Sequence, residues 1–228
     1  MVKLPEIILT ADASGAQKAA RQGMLVMIVD VIDMSTSLES AIDAGALAVF
    51  GASPDYTRAP VETSPEYVGM KAAILAREHG TNIILIAEPR AGDEAERLAR
   101  CQKLIKGVEK EQVFIEKVLP NLGAEIYKLA DFTERVVVAV SDTGGVAYDA
   151  AFLYTSQVYT GTVARSKNKK GMEPALAAVA RIRQNYREAD SGIAIVAASS
   201  NSQEDVLAAQ LIYDLTTAQF TDQEINPR

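Results

Sequence analysis

The chain has one cysteine, Cys101, and one histidine, His79, among its 228 residues. A lone thiol forms no internal disulfide, and one histidine with one cysteine supplies neither a zinc ligand set nor a Ser-His-Asp triad. Positive charge is scarce as well. Lys and Arg total 23 against 30 Asp and Glu, a net charge of −7, which argues against a protein built to hold nucleic acid or an anionic membrane surface. No run approaches the roughly eighteen uninterrupted apolar residues of a membrane-spanning helix. The N-terminal stretch MVKLPEIILTADA lacks the apolar core and cleavage site of a secretory signal, so the expected compartment is the cytoplasm. Neither Gly-x-Gly-x-x-Gly nor Gly-x-x-x-x-Gly-Lys occurs, which removes the usual support for dinucleotide or P-loop binding. With no Gly/Ser-rich or Pro-rich linker, residues 1–228 are expected to form a single domain.

What is present is a repeating alternation. Short Val/Ile/Leu-rich runs fall near 6–11, 24–31, 46–51, 82–88, 135–140, 157–161 and 192–198, several of them apolar throughout, as strands buried on both faces of a parallel sheet must be. Between them, SLESAIDAGA, SPEYVGMKAAILAREHG, GDEAERLARCQKLIKG, GVAYDAAFLY, MEPALAAVARIRQNYRE and EDVLAAQLIYDLTTA carry apolar residues at three- and four-residue spacing. Strands alternating with helices predict an α/β fold, a three-layer α/β/α sandwich around a mainly parallel sheet. The segment 106–134 has mixed periodicity, with Pro120 and Gly123 breaking any single long helix, and the polar tail over 219–228 is expected to fray. Cys101 falls on the amphipathic stretch ERLARCQKLI as a small buried residue, and His79 sits at a helix C-terminus, where a partial negative charge favours it.

In open parallel sheets ligands bind outside the carboxyl ends of the strands. Three such turns are rich in polar residues. One follows VMIV with Asp30, Asp33, Ser35 and Thr36; one follows VVVAV with Ser141, Asp142, Thr143, Gly144 and Gly145; one follows IAIVAA with Ser199, Asn201, Ser202, Glu204 and Asp205. Each has a purely structural reading, because Thr36 with Glu39 and Ser202 with Asp205 match capping-box spacing and Asp142 or Thr143 would cap a helix unaided. Together they would gather hydroxyls, free backbone N–H groups and carboxylates at one edge, where helix N-termini hold phosphate and carboxylates hold Mg²⁺. Gly144 and Gly145 would let a ligand approach the backbone.

The segments VDVIDMSTSLESAIDAGALAVFGASP, IAIVAASSNSQEDVLAAQLI and VVVAVSDTGGVAYDAA resemble the 2-phosphosulfolactate phosphatase family, magnesium-dependent phosphatases of the coenzyme M pathway. The family pattern runs roughly Asp-Val-hydrophobic-Arg-Ala-Ser-Thr in the first, Ser-x-Glu-Asp-x-x-Ala-Ala-Gly in the second and Thr-Thr-Asn-Gly-Thr in the third. Asp30, Ser35, Thr36, Glu204 and Asp205 are retained, whereas Asp33 stands in place of the arginine and Ser-Asp-Thr-Gly-Gly in place of Thr-Thr-Asn-Gly-Thr.

The resemblance implies a Mg²⁺-dependent hydrolysis of a small anionic phosphomonoester. In that reading Asp30, Asp142 and Glu204 are catalytic, and Asp30, Glu204 and Asp205 hold the metal. Ser35, Thr36, Thr143, Gly144, Gly145, Ser199 and Asn201 cradle the anion, and Lys167, from the basic run VARSKNKKGMEP, supplies a cation. The alternative is a catalytically degenerate relative that acts as a small-anion-binding or regulatory module. No nucleic-acid or membrane partner is expected, and a homodimer is as compatible with the chain as a monomer. An aspartic protease needs two Asp-Thr-Gly turns in an all-β fold and only one is present; a haloacid-dehalogenase-like site needs two aspartates two apart, and Asp30 and Asp33 are three apart.

Overall fold

A computed structural model describes residues 4–32 and 34–225, so Asp33 and residues 226–228 lie outside the described residues. Eight strands alternate with helices: β1 (Ile7–Ala11), α1 (Asp12–Arg21), β2 (Leu25–Val29), α2 (Met34–Asp43), β3 (Ala48–Ala52), α3 (Pro65–Glu78), β4 (Ile83–Ala87), α4 (Glu94–Ala99), α5 (Gln102–Glu109), β5 (Ile115–Pro120), β6 (Val136–Val140), α6 (Gly144–Phe152), β7 (Val158–Gly161), α7 (Glu173–Asn185), β8 (Ile193–Ala197) and α8 (Gln203–Ile225), with a 3-10 helix over Gly123–Lys128. The α/β class is as the alternation predicts. The strands divide into two four-stranded sheets, ordered β1-β8-β2-β7 and β3-β6-β4-β5, and every pairing is parallel.

The two faces of the first sheet explain why its central strands carry no polar alternation. In β2, Val26 and Ile28 join one apolar cluster with Ala194 and Val196 of β8, while Leu25, Met27 and Val29 join another with Ile193, Ile195 and residues of α7 and α8. Helices cover both faces, and each fully buried Val, Leu or Ile contributes about 1.5–3 kcal/mol. α2 and α6 touch strands of both sheets and α1 packs on α6, so these helices form the layer between them; α3 lies on β3, β4 and β6 with α5 against it. One cluster of buried side chains therefore runs from β2 and β8 through α6 to β4 and β6.

All seven runs expected as strands are strands; β5 is an eighth, within the mixed segment 106–134. Its Pro120 closes the strand and Gly123, at φ +57°, opens the 3-10 helix. The helix expected over 92–107 breaks into α4 and α5, and Cys101 sits at the junction, at the N-cap of α5, rather than within a helix. It is nevertheless buried, and burial pushes its thiol up to about 12, with repulsion from Asp55 adding and attraction from Arg100 opposing. His79 caps the end of α3, its Nδ1 3.0 Å from the Leu75 carbonyl. The tail expected to fray from 219 is helical as far as Ile225.

Candidate functional site

Parallel strands place all their carboxyl ends at one edge of each sheet, and that edge holds a cleft of about 600 Å³. Its walls come from four connections: Asp12 and Ser14 after β1, Tyr56–Pro60 after β3, Asp142 and Thr143 after β6, and Ser199–Asn201 after β8. The cleft thus opens between the two sheets. The N-termini of α1 and α6 point their partial positive charge toward it, and Thr143 at the cap of α6 makes no side-chain hydrogen bond to its helix. Arg58 adds a formal cation from the β3–α3 loop. Asp142 Oδ2 accepts from Arg100 Nη2 at 2.5 Å, and the carboxylate stays exposed.

Asp12 ties the floor together. Its backbone is in the left-handed region, φ +64°, and its carboxylate Oδ1 accepts the Ser200 N–H at 2.8 Å, joining the turns after β1 and β8. A non-glycine residue in that region costs of the order of 1 kcal/mol or more, a strain that concentrates at functional clefts.

Of the residues singled out from sequence, Asp142, Thr143, Ser199 and Asn201 meet in this cleft. The others do not line it. Asp30 is fully buried, its N–H donating to the Gly161 carbonyl at 3.3 Å. Ser35 donates to the Ile28 carbonyl at 3.3 Å and Thr36 to the Val31 carbonyl at 2.7 Å, while Thr162 lies 2.8 Å from the Thr36 hydroxyl and itself accepts the Ala164 N–H. These hydroxyls are spent on the fold rather than offered to an anion. Nor do Thr36 and Glu39 form a capping box: Thr36 lies inside α2, and Glu39, buried, pairs with Arg181 at 2.9 Å and Lys169 at 3.0 Å.

Gly144 and Gly145 are needed for a reason other than ligand approach. A Cβ at Gly144 would collide with the Asp30 carboxylate, and one at Gly145 with the Ala52 carbonyl at the end of β3. The glycines let α6 press against both sheets at once. Gly145 N–H then donates to Ser141 Oγ at 2.8 Å.

The carboxylates expected to hold a metal are differently employed. Asp205 is buried, its Oδ1 accepting the Val31 N–H at 2.8 Å; burial raises its pKa, with the hydrogen bonds from Val31, Ser202 and Ser199 opposing the rise. Ser202 accepts the Asp205 N–H at 3.2 Å, the capping half of the motif, and Glu204 is exposed beside it, 3.3 Å from the Ser202 hydroxyl. Among the described residues, no group of three or more His, Cys, Asp or Glu side chains is gathered as a metal site would require. Asp30, buried, Asp205, spent on the Val31 N–H, and Glu204, exposed, therefore do not fit a protein-held Mg²⁺.

The basic run is likewise engaged elsewhere. Lys169 pairs with Asp43 and Glu39 of α2, Arg165 with Glu125 of the 3-10 helix, and Lys167 Nζ lies 5.6 Å from the centre of the Tyr127 ring. Asp43 is held below the usual carboxylate range: burial alone would raise it, but hydrogen bonds from Lys169, Ser166 and the Asn168 N–H prevail. This loop closes over α2, not over the cleft.

Two charged cleft residues carry no signal in the sequence. Asp12 follows a recognisable strand, but the buried face of DASGAQKAAR is alanine alone, Ala13, Ala16, Ala19 and Ala20, so no large apolar residue marks the helix or the turn before it. Arg58 lies in an irregular loop and carries no local signal. The fold and site define a class: an α/β protein of two parallel sheets with an open polar cleft between their carboxyl edges. Compared with known proteins, the sequence gives no significant match to any family model or curated protein. Among the described residues no helix is long and apolar enough to cross a membrane.

Proposed function

We propose that the cleft binds a small phosphorylated metabolite, the chain acting as a small-anion-binding α/β protein. The observation that carries this reading is the convergence of Arg58, the N-termini of α1 and α6 and the polar turn Ser199–Asn201 on one cleft of about 600 Å³. That volume suits a metabolite, and helix N-termini with a guanidinium are the usual means of holding phosphate oxygens.

A second reading, hydrolysis of the phosphomonoester, is favoured by Asp12 and Asp142, whose carboxylates stand at the same cleft and are positioned by hydrogen bonds from Ser200 and Arg100. A carboxylate in that place can orient a water toward a bound phosphoryl group. Calorimetric titration with a panel of small phosphomonoesters, 2-phosphosulfolactate included, tests the binding with and without Mg²⁺. Phosphate release in the same mixtures tests hydrolysis. Arg58→Ala is expected to weaken binding about 10- to 100-fold, the loss of one charge-assisted hydrogen bond. Absence of binding by any member of the panel, with the protein folded, overturns the anion-site reading.

A further inference from the structure

The Arg58 loop is fastened at both ends by one side chain. Asp149, on α6, is completely buried, and its Oδ2 accepts both the N–H and the hydroxyl of Ser53, at 3.1 and 2.6 Å, while its Oδ1 accepts the Ser64 N–H at 2.7 Å. Ser53 directly follows β3 and Ser64 is the N-cap of α3. These two residues bracket the ten-residue connection 54–63, which includes Tyr56–Pro60 of the cleft wall. A buried carboxylate without hydrogen bonds would be strongly unfavourable, so these three donors are held where the charge requires them.

Other contacts fix the base of the loop and leave its tip to be placed from below. Asp55 accepts the Gln102 and Lys103 N–H groups at 2.8 and 3.0 Å and donates its own N–H to the Arg100 carbonyl at 2.9 Å. Beyond it Tyr56 is 85% exposed, whereas Ala59 and Val61 pack against the core cluster. A second cavity, of about 260 Å³, shares Thr57 and Ala59 with the cleft and is bounded by Val61, Ser64 and Lys103. The loop therefore stands between two open spaces. Its ends are tied by Asp149, and between them only Ala59 and Val61 rest on the core.

We propose that Asp149 is a positioning residue for the cleft: by holding Ser53 and Ser64 together it keeps the 54–63 loop, and with it Arg58, against the anion site. This rests on the reading of the cleft as an anion site, but the mechanical half stands apart from it. Asp149→Asn keeps the shape and sets an amide N–H₂ against backbone or hydroxyl donors. Ser53→Ala removes the 2.6 Å hydroxyl bond alone.

The test is amide hydrogen exchange of the full chain, with inorganic phosphate binding measured in parallel. Peptides covering 54–64 are expected to exchange at least about tenfold faster in Asp149→Asn and by a smaller factor in Ser53→Ala, while β2 and β8 peptides keep the wild-type rate. Phosphate affinity is expected to fall in Asp149→Asn as far as in Arg58→Ala, which itself leaves the exchange of 54–64 unchanged. Unaltered exchange over 54–64 in both anchoring variants overturns the proposal, as does an equal rise throughout β2 and β8. Should Asp149→Asn fail to fold, Ser53→Ala decides by the same criterion. If the wild-type protein binds no phosphate or phosphomonoester, the anion-site reading fails, and exchange alone decides whether Asp149 holds the loop.

Discussion

Replacing Gly145 by alanine separates close packing from ligand access. In most helices Gly→Ala stabilises by up to about 1 kcal/mol, because alanine loses less backbone freedom on folding. At Gly145 the new Cβ would fall inside the van der Waals radius of the Ala52 carbonyl oxygen, with the Ala52 carbonyl carbon 2.9 Å away. That neighbour is strand backbone and cannot rotate aside. Forcing α6 off β3 costs about 1–3 kcal/mol by overpacking, and more where backbone must shift, so a net loss near 3 kcal/mol is expected. For a chain of this size each kcal/mol moves Tm by about 2–4 °C, which gives a fall of about 6–12 °C. Thermal unfolding followed by circular dichroism measures it, with Gly171→Ala as the control. At Gly171 no atom stands within 4 Å of the added Cβ, and the φ of +58° costs only about 1–2 kcal/mol. A Tm for Gly145→Ala at or above wild type would refute the packing argument. If phosphomonoester binding were lost at the same time, the glycine would have to be serving a ligand.

Two further outcomes follow from the side-chain chemistry. The Cys101 thiol, buried and pushed up to about 12, should resist an aromatic disulfide reagent at pH 8 until the protein unfolds; rapid labelling of the native chain would contradict its burial. Asp43, held below the usual carboxylate range, contributes stability that is complete above its unfolded pKa and lost as pH falls through its lower folded one. Lys169 has its pKa raised: burial would lower it, but hydrogen bonding to Asp43 and the nearby Glu39 charge prevail, so its share is present at neutral pH and lost as pH rises through the folded value. The urea midpoint of Asp43→Asn should therefore lie below wild type at pH 6 and converge with it toward pH 2, and a gap independent of pH would sink that account.

The elements were legible in the sequence where burial on two faces left an unbroken apolar run, as in LVMIV and VVVAV, or where a long amphipathic stretch such as PEYVGMKAAILARE spelled out a helix. They were not legible where composition hid the period. The buried face of DASGAQKAAR is alanine alone, with no large apolar residue to announce α1, and IEKVLP is interrupted by Glu116 and Lys117 at the sheet edge, where β5 pairs on one side only. The candidate site was legible in part for the same kind of reason. Polar residues at strand ends pointed to Asp142, Thr143, Ser199 and Asn201, yet an identical signal at Ser35 and Thr36 marked hydroxyls that bond to their own backbone.

Local sequence thus determined the α/β class, the placement of most strands and the polar character of the carboxyl edge, because those follow from periodicity and turn chemistry within a few residues. Only the tertiary structure decided that eight strands form two sheets, that Asp205 bonds to the Val31 N–H, that the basic loop closes on α2, and that Arg58 and Asp12 reach the cleft. Each of those depends on which distant segments meet: Asp205 and Val31 are 174 residues apart, and Asp12 and Ser200 are 188. A hydrogen-bonding side chain shows what it can bind, and its partner is fixed when packing brings the two segments together.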